Sequence, residues 1–77
     1  MNLTPEHIQQ DLPRKLRNQA ATLTAEGIAS GESVSEARQK TASAMKRIYR
    51  RWLADIEDTH PRCAPAARYV LRKEGIL

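Results

Sequence analysis

The sequence has little of what stabilises small secreted domains or places a chain in a membrane. Its 77 residues include a single cysteine, Cys63, so no internal disulfide can form, whereas secreted domains of this size are usually cross-linked. The longest apolar runs, such as Tyr69-Val70-Leu71, are three residues long, which excludes a transmembrane helix and the apolar part of a signal peptide. These absences predict a cytoplasmic protein with no membrane partner.

Residues that favour β-strands are also scarce. The chain has two valines, three aromatic residues and no phenylalanine. Charged residues make up 29% of it, yet the large apolar residues recur at regular intervals, which is not typical of a disordered chain. The sequence therefore predicts an all-α protein in which residues 1–77 form a single small helical domain.

Prolines and capping residues predict how the first part of the chain is divided. Thr4-Pro5-Glu6 combines an N-cap threonine, a proline at the first helical position and an acid in the first turn, which predicts a short helix over 5–11. Pro13 disfavours helical geometry at the residue before it and can begin a second helix over 13–29. The apolar side of that helix would contain Leu16, Ala20, Leu23 and Gly27. Gly27 fits either a close helix contact or the region where the helix stops, and the pattern slightly favours the stop.

The second half of the chain begins with a capping box. Ser33 as N-cap and Glu36 three residues later predict the longest helix, over 34–58. The prolines between 59 and 65 break it, and a short last helix follows over 65–74. The apolar face predicted for the long helix contains Val34, Thr41, Met45, Ile48, Tyr49, Trp52 and Ile56.

Together these segments predict an antiparallel helical hairpin of 13–29 and 34–58, flanked by short helices over 5–11 and 65–74. A hairpin alone buries one side of each helix. Of the 31 apolar residues, 11 are alanine, so the core is short of large side chains. The short helices would have to cover the hairpin, or a second copy would pack against it, and a homodimer is therefore one expected assembly.

The net charge of +4 is concentrated on one helix. Residues 1–29 and residues 54–77 each carry equal numbers of acids and bases, whereas the stretch from Arg38 to Arg51 has six bases and no acid. Most of these bases fall opposite the apolar face, which makes the long helix basic and amphipathic. The bases are Arg38, Lys40, Lys46, Arg47, Arg50 and Arg51.

A basic helix face is typical of contact with an anionic partner, and nucleic acid is the first candidate. Arginine suits this role because its planar guanidinium donates two parallel hydrogen bonds to a phosphate. Two other interpretations remain open: a solvated face partly neutralised by Arg51 and Asp55, or contact with an acidic protein surface. Arg38 is unusual because it falls within the apolar arc, where it either reaches out to solvent or meets a partner carboxylate.

The leading hypothesis is therefore a small, non-enzymatic regulatory protein that binds the phosphate backbone of nucleic acid, or a nucleic-acid-processing assembly, through the six bases. The alternative is a protein–protein interaction module that modulates or inhibits a larger partner through exposed apolar and arginine side chains. The residues expected to contact such a partner are Trp52, Leu53, Arg68, Tyr69, Val70, Leu71 and Arg72.

Catalytic and metal-binding patterns are weak. His60 and Cys63 have a spacing that could hold a metal, but a structural zinc site needs four ligands. The glycines are too far apart for a phosphate-binding loop, and no pair of carboxylates forms a recognisable acid–base site. We expect no enzymatic activity, no cofactor, no metal and no small-molecule substrate.

Overall fold

The structure is a computed structural model that describes residues 3–77. Met1 and Asn2, which belong to the predicted 1–77 domain, lie outside the described residues. The chain folds into α1 (Pro5–Ala29), α2 (Val34–Thr59) and α3 (Ala64–Lys73), with a single 3₁₀ turn over Pro61–Cys63 before α3. No strand occurs between residues 3 and 77, and the prediction of an all-α protein is confirmed. The molecule is elongated, measuring 42 × 21 × 19 Å.

Both predicted N-caps are formed. The Thr4 hydroxyl accepts a hydrogen bond from the His7 N–H at 3.3 Å, and the Ser33 hydroxyl accepts one from the Glu36 N–H at 3.1 Å. Each bond satisfies one of the backbone donors that a helix leaves unpaired in its first turn. The turn between α1 and α2 contains Gly31 at φ 97°, a left-handed conformation that glycine adopts without strain. Local capping and turn chemistry thus set where α2 begins.

The first helix does not stop at Pro13, so the prediction of a separate helix over 5–11 is wrong. Pro13 lies inside α1 and, having no N–H group, cannot donate to the carbonyl of the exposed residue Gln9. Ile8, Leu12 and Leu16 are spaced four residues apart across the proline, and all three are buried. Burying this continuous apolar row against the rest of the protein outweighs the lost hydrogen bond.

Helices α1 and α2 run antiparallel, as three contacts show. Gly27 lies against Ala37, the Thr24 hydroxyl donates to the Thr41 hydroxyl at 3.1 Å, and the Tyr49 hydroxyl donates to the Gln19 side-chain oxygen at 2.5 Å. A Cβ atom added to Gly27 would lie 3.1 Å from that of Ala37 and would also collide with the Glu32 carboxylate. Gly27 is therefore a close-contact position, and it also lies in the last turn of α1, where its carbonyl accepts hydrogen bonds from the Ser30 and Glu32 N–H groups. Both interpretations of Gly27 fit the structure.

Helix α3 covers one end of the α1–α2 pair and completes the core there. Leu71 is fully buried, and after α3 ends, Gly75 at φ 77° turns the chain so that the Ile76 N–H donates to the Leu71 carbonyl at 2.8 Å. We call the end of the molecule that α3 covers the α3 end, and the opposite end, next to Gly31, the turn end. The buried core cluster contains Ile8, Leu12, Leu16, Met45, Tyr49, Leu53, Ile56, Cys63, Ala64, Ala66, Ala67, Val70, Leu71 and Ile76.

The buried side of α2 winds around the helix. The buried positions Ala37, Thr41, Met45, Tyr49 and Leu53 are four residues apart, and each such step turns the side by about 40°. The helix faces α1 near its beginning and both α1 and α3 farther along. Consequently the predicted straight apolar face is wrong in part: Val34 is 50% exposed, Ile48 is 40% exposed and Trp52 is half-buried.

Candidate nucleic-acid interface

All six bases of the long helix point to solvent. They lie in the middle of α2, where the 13 steps from Arg38 to Arg51 correspond to about 20 Å of helix length. We call this set the basic face. It consists of Arg38, Lys40, Lys46, Arg47, Arg50 and Arg51.

Among residues 3–77, only one base of this face forms an ion pair. Lys40 contacts the Glu32 carboxylate through a short ion pair. That hydrogen bond, together with the charge of Glu32, raises the pKa of Lys40 above its ordinary value of 10.5. The ion pair of Arg51 with Asp55, which the solvated-face interpretation includes, is not formed within the described chain. Most of the positive charge is therefore not neutralised by the protein itself.

The bases form two rows on the surface of α2. Residues four apart in a helix lie above one another, so Lys46 and Arg50 belong to one row and Arg47 and Arg51 to the next. Arg38 lies on the groove side of α2, about 80° around the helix from Lys46 and about 180° from Arg47. Like charges at this spacing destabilise a helix by about 0.2–0.5 kcal/mol per pair. An anion that bridges the rows would relieve this repulsion.

Arg38 and Lys46 lie at the edge of a groove between α1, α2 and the C-terminal turn. The groove encloses about 300 Å³, and its walls are predominantly apolar. Near the α3 end, the Arg17 guanidinium contacts the Glu74 carboxylate at 3.3 Å across the groove's border. Its apolar lining includes Leu16, Ala20, Ala42, Met45 and Ile76. Sequence reasoning missed this groove, because Arg17 and Glu74 are 57 residues apart and no local pattern connects them.

The side chains predicted to contact a protein partner do not form one exposed patch. Leu53, Val70 and Leu71 are buried in the core, so the prediction that they are exposed is wrong. The two neighbouring helices take up their apolar surface, which leaves none for a partner. Tyr69, at 60% exposure, and Arg72 remain on the surface of α3.

The two other predicted contact residues are engaged within the protein. Arg68 is half-buried, with its guanidinium 3.6 Å from the Glu57 carboxylate. The half-buried Trp52 ring meets the Tyr49 ring edge to face, with centroids 5.8 Å apart and planes at 69°. Burial against the core raises the pKa of Tyr49 above its ordinary value of 10.0. Trp52 thus packs partly against the core and keeps only part of its surface exposed.

His60 and Cys63, whose spacing could hold a metal, lie in different surroundings. His60 is exposed, and its Nδ1 lies 2.8 Å from the Thr59 hydroxyl, whereas Cys63 is buried with Sγ 3.4 Å from the Leu3 carbonyl oxygen. Residues 3–77 contain no group of three or more histidine, cysteine or acidic side chains arranged to hold a metal ion. In the same part of the chain, no helix combines the length and apolar character needed to cross a bilayer.

No protein-family model matches this chain, and no curated protein or solved structure is significantly similar to it. A function for the chain therefore has to be argued from its own residues and their geometry.

Proposed function

We propose that this chain is a small non-enzymatic protein that binds nucleic acid through the phosphate backbone, using the basic face of α2. The observation that carries the proposal is the run of exposed bases without a carboxylate partner among residues 3–77. Lys40 is excluded from that run because it is paired with Glu32. The remaining five are Arg38, Lys46, Arg47, Arg50 and Arg51.

The dimensions and chemistry of this face suit a nucleic-acid backbone. Its length of about 20 Å equals the axial rise of roughly six base pairs, at 3.4 Å per phosphate on each strand. Four of the five unpaired bases are arginines, whose guanidinium groups bind phosphate oxygens in pairs. Contacts of this kind position a protein on nucleic acid but carry little sequence information, so binding would be largely independent of base sequence.

The electrostatics of α2 favour a bound anion over a merely hydrated surface. The rows Lys46–Arg50 and Arg47–Arg51 place like charges at the spacing that destabilises a helix. A face selected only for solubility is better stabilised by interspersed acids and bases, whereas α2 has no acid between Arg38 and Arg51 and only acids among its charged residues from Asp55 to its end. The uniform charge is thus unfavourable for the isolated chain and becomes favourable when a polyanion is bound.

Fluorescence anisotropy with a labelled 20-base-pair duplex and the corresponding single strand, across a salt series, tests the proposal. If five phosphates of the duplex are neutralised, log affinity falls against log salt concentration with a slope of roughly −4 to −5. The triple variant Arg47→Ala/Arg50→Ala/Arg51→Ala removes three of these contacts, so its slope for the duplex falls to about −2.

The matched control removes the same charge from elsewhere on the surface. Arg14, Lys15 and Arg62 are exposed and lie outside the basic face, so their combined substitution by alanine lowers the net charge by an equal amount. We expect the control variant to keep at least most of the wild-type salt slope. Undetectable binding of wild-type protein at 20 mM salt, or equal losses in the two triple variants, would contradict the proposal.

A further inference from the structure

The groove beside Arg38 has a composition that phosphate binding does not explain. Leu16 and Met45, both buried, form part of its floor, and Ala20 and Ala42 extend the apolar lining toward the turn end. The volume of about 300 Å³ is at the lower limit of the range for ligand sites, which suits one or two apolar side chains. Backbone binding is dominated by contacts to phosphate oxygens, which give no reason for an apolar floor of this size.

Positive charge surrounds this apolar floor. Arg38 and Lys46 line the groove from α2, and both are exposed without an ion pair in the described residues. The single acid in the lining, Glu74, is compensated by Arg17 at 3.3 Å. The border of the groove therefore keeps a net positive charge, and the carboxylate of Glu74 is not free to repel an incoming anion.

We propose that this groove is a docking site for an acidic, apolar segment of another protein. One apolar side chain of that segment lies on the floor formed by Leu16, Ala20 and Met45, and flanking carboxylates pair with Arg38 and Lys46. This arrangement accounts for the position of Arg38, a base within the apolar arc of α2, because a carboxylate bound there is partly shielded from water and its ion pair is strengthened. The site shares Arg38 and Lys46 with the proposed phosphate-binding face but does not include the two outer arginines, Arg47 and Arg51, and it does not require nucleic-acid binding.

The probe is an array of ten-residue peptides in which aspartate or glutamate flanks leucine, phenylalanine or methionine. A matched array carries asparagine or glutamine in place of every acid. Binding of the strongest peptides to the full-length protein is then measured by fluorescence anisotropy and by ¹H–¹³C NMR of the methyl groups. We expect the acidic peptides to bind and to shift the methyl resonances of Ala20, Ala42 and Met45, and the amide peptides to bind at least roughly tenfold more weakly.

Paired variants separate the groove from general electrostatics. Arg38→Gln and Arg47→Gln each remove one exposed positive charge from α2, but only Arg38 lines the groove. Ala42→Leu and Ala54→Leu each add the same bulk at an exposed position of α2, and only Ala42 lines the groove. We expect roughly tenfold weaker peptide binding for Arg38→Gln and Ala42→Leu, and less than about twofold change for the two controls.

The outcomes distinguish this inference from the proposed function. Peptide binding that is equal in Arg38→Gln and Arg47→Gln, shifts confined to other methyl groups, or no binding up to 1 mM of any acidic peptide would each overturn the docking site. If duplex DNA shifts the groove methyl groups and the peptides do not, the groove is part of the nucleic-acid surface and the inference is also wrong. Loss of DNA binding alone would leave it standing.

Discussion

The two ends of the molecule are packed through side chains of different size. At the α3 end three helices meet, and large side chains such as Leu12, Tyr49 and Leu71 fill the space between them. At the turn end only α1 and α2 are present, and they approach through small residues, with Gly27 against Ala37 and Thr24 bonded to Thr41. Core packing is concentrated at one end, while the other keeps both helices accessible.

Because of this difference, the two ends contribute unequally to the free energy of unfolding. Hydrophobic stabilisation scales with the apolar area removed from water, so the α3 end supplies most of it. The basic face begins near the turn end at Arg38 and extends to Arg51, and the groove lining includes the exposed Ala42. Substitutions of exposed residues at the turn end should therefore cost the core little stability, whereas Leu16, Met45 and Ile76 belong both to the core and to the groove lining. The following variants test how far the two ends differ in stability.

The largest effect is expected from Leu71→Ala at the α3 end. Leu71 is completely buried, and its truncation leaves a cavity among three elements, which costs about 2–5 kcal/mol of unfolding free energy. Urea unfolding followed by circular dichroism measures this loss. Leu77→Ala, at a 41% exposed position, is the control and should cost less than about 1 kcal/mol. Similar losses in the two variants would show that α3 is not the main source of stability.

Pro13→Ala should stabilise the protein at the α3 end. An alanine restores the hydrogen bond to the Gln9 carbonyl and removes a residue that is unfavourable inside a helix, raising the unfolding free energy by about 1–3 kcal/mol. The control is Pro65→Ala, because Pro65 lies in the first turn of α3, where no backbone donor is needed. A lower urea midpoint for Pro13→Ala than for wild type would mean that the proline itself fits the fold better than a regular helix does.

Gly27→Val tests the close contact at the turn end. The added side chain would displace Ala37, at an expected loss of about 1–3 kcal/mol of stability. Ala25→Val changes an exposed position of the same helix and measures the helix propensity of valine alone, about 0.5 kcal/mol. Amide hydrogen exchange should locate the change near Thr24 and Thr41 and leave α3 protected. Uniform loss of protection would contradict the separation of the two ends.

The smallest effect is a pH dependence at Tyr49. Burial raises its pKa above the ordinary 10.0, so stability is complete below the pKa of the unfolded chain and decreases as pH rises through the folded value. In Tyr69→Phe, Tyr49 is the remaining tyrosine, and we expect its absorbance at 295 nm to titrate with a midpoint above pH 10.0. The reciprocal variant Tyr49→Phe should lose this contribution. A midpoint at or below pH 10.0 would show that the ring is open to water.

Features that depend on neighbouring residues could be predicted from the sequence, and features that depend on distant ones could not. The caps at Thr4 and Ser33 involve residues three positions apart, and both predictions are confirmed. The break expected at Pro13 is wrong because packing of Ile8, Leu12 and Leu16 outweighs the local preference of proline. That packing requires α3, which lies more than forty residues later in the chain.

The candidate site shows the same limit. The spacing of bases from Arg38 to Arg51 correctly indicated residues exposed on one helix, since charge on a helix face is a local pattern. The exposure of Val34 and Ile48 was not predictable, because the buried side of α2 turns toward α3 along its length. The groove was not predictable from the sequence either, because α1, α2 and the C-terminal turn all contribute to it.

The number of residues between two contacting positions also affects the order in which the helices associate during folding. The Thr24–Thr41 contact closes a loop of 17 residues, whereas Arg17 meets Glu74 across 57. Closing the shorter loop loses less chain entropy, so we expect α1 and α2 to associate before α3 docks. Pulsed hydrogen exchange during refolding would then protect amides near Thr41 earlier than those near Leu71. The pair of α1 and α2, which carries the basic face, would thus form first. Docking of α3 would then complete the core that stabilises this pair.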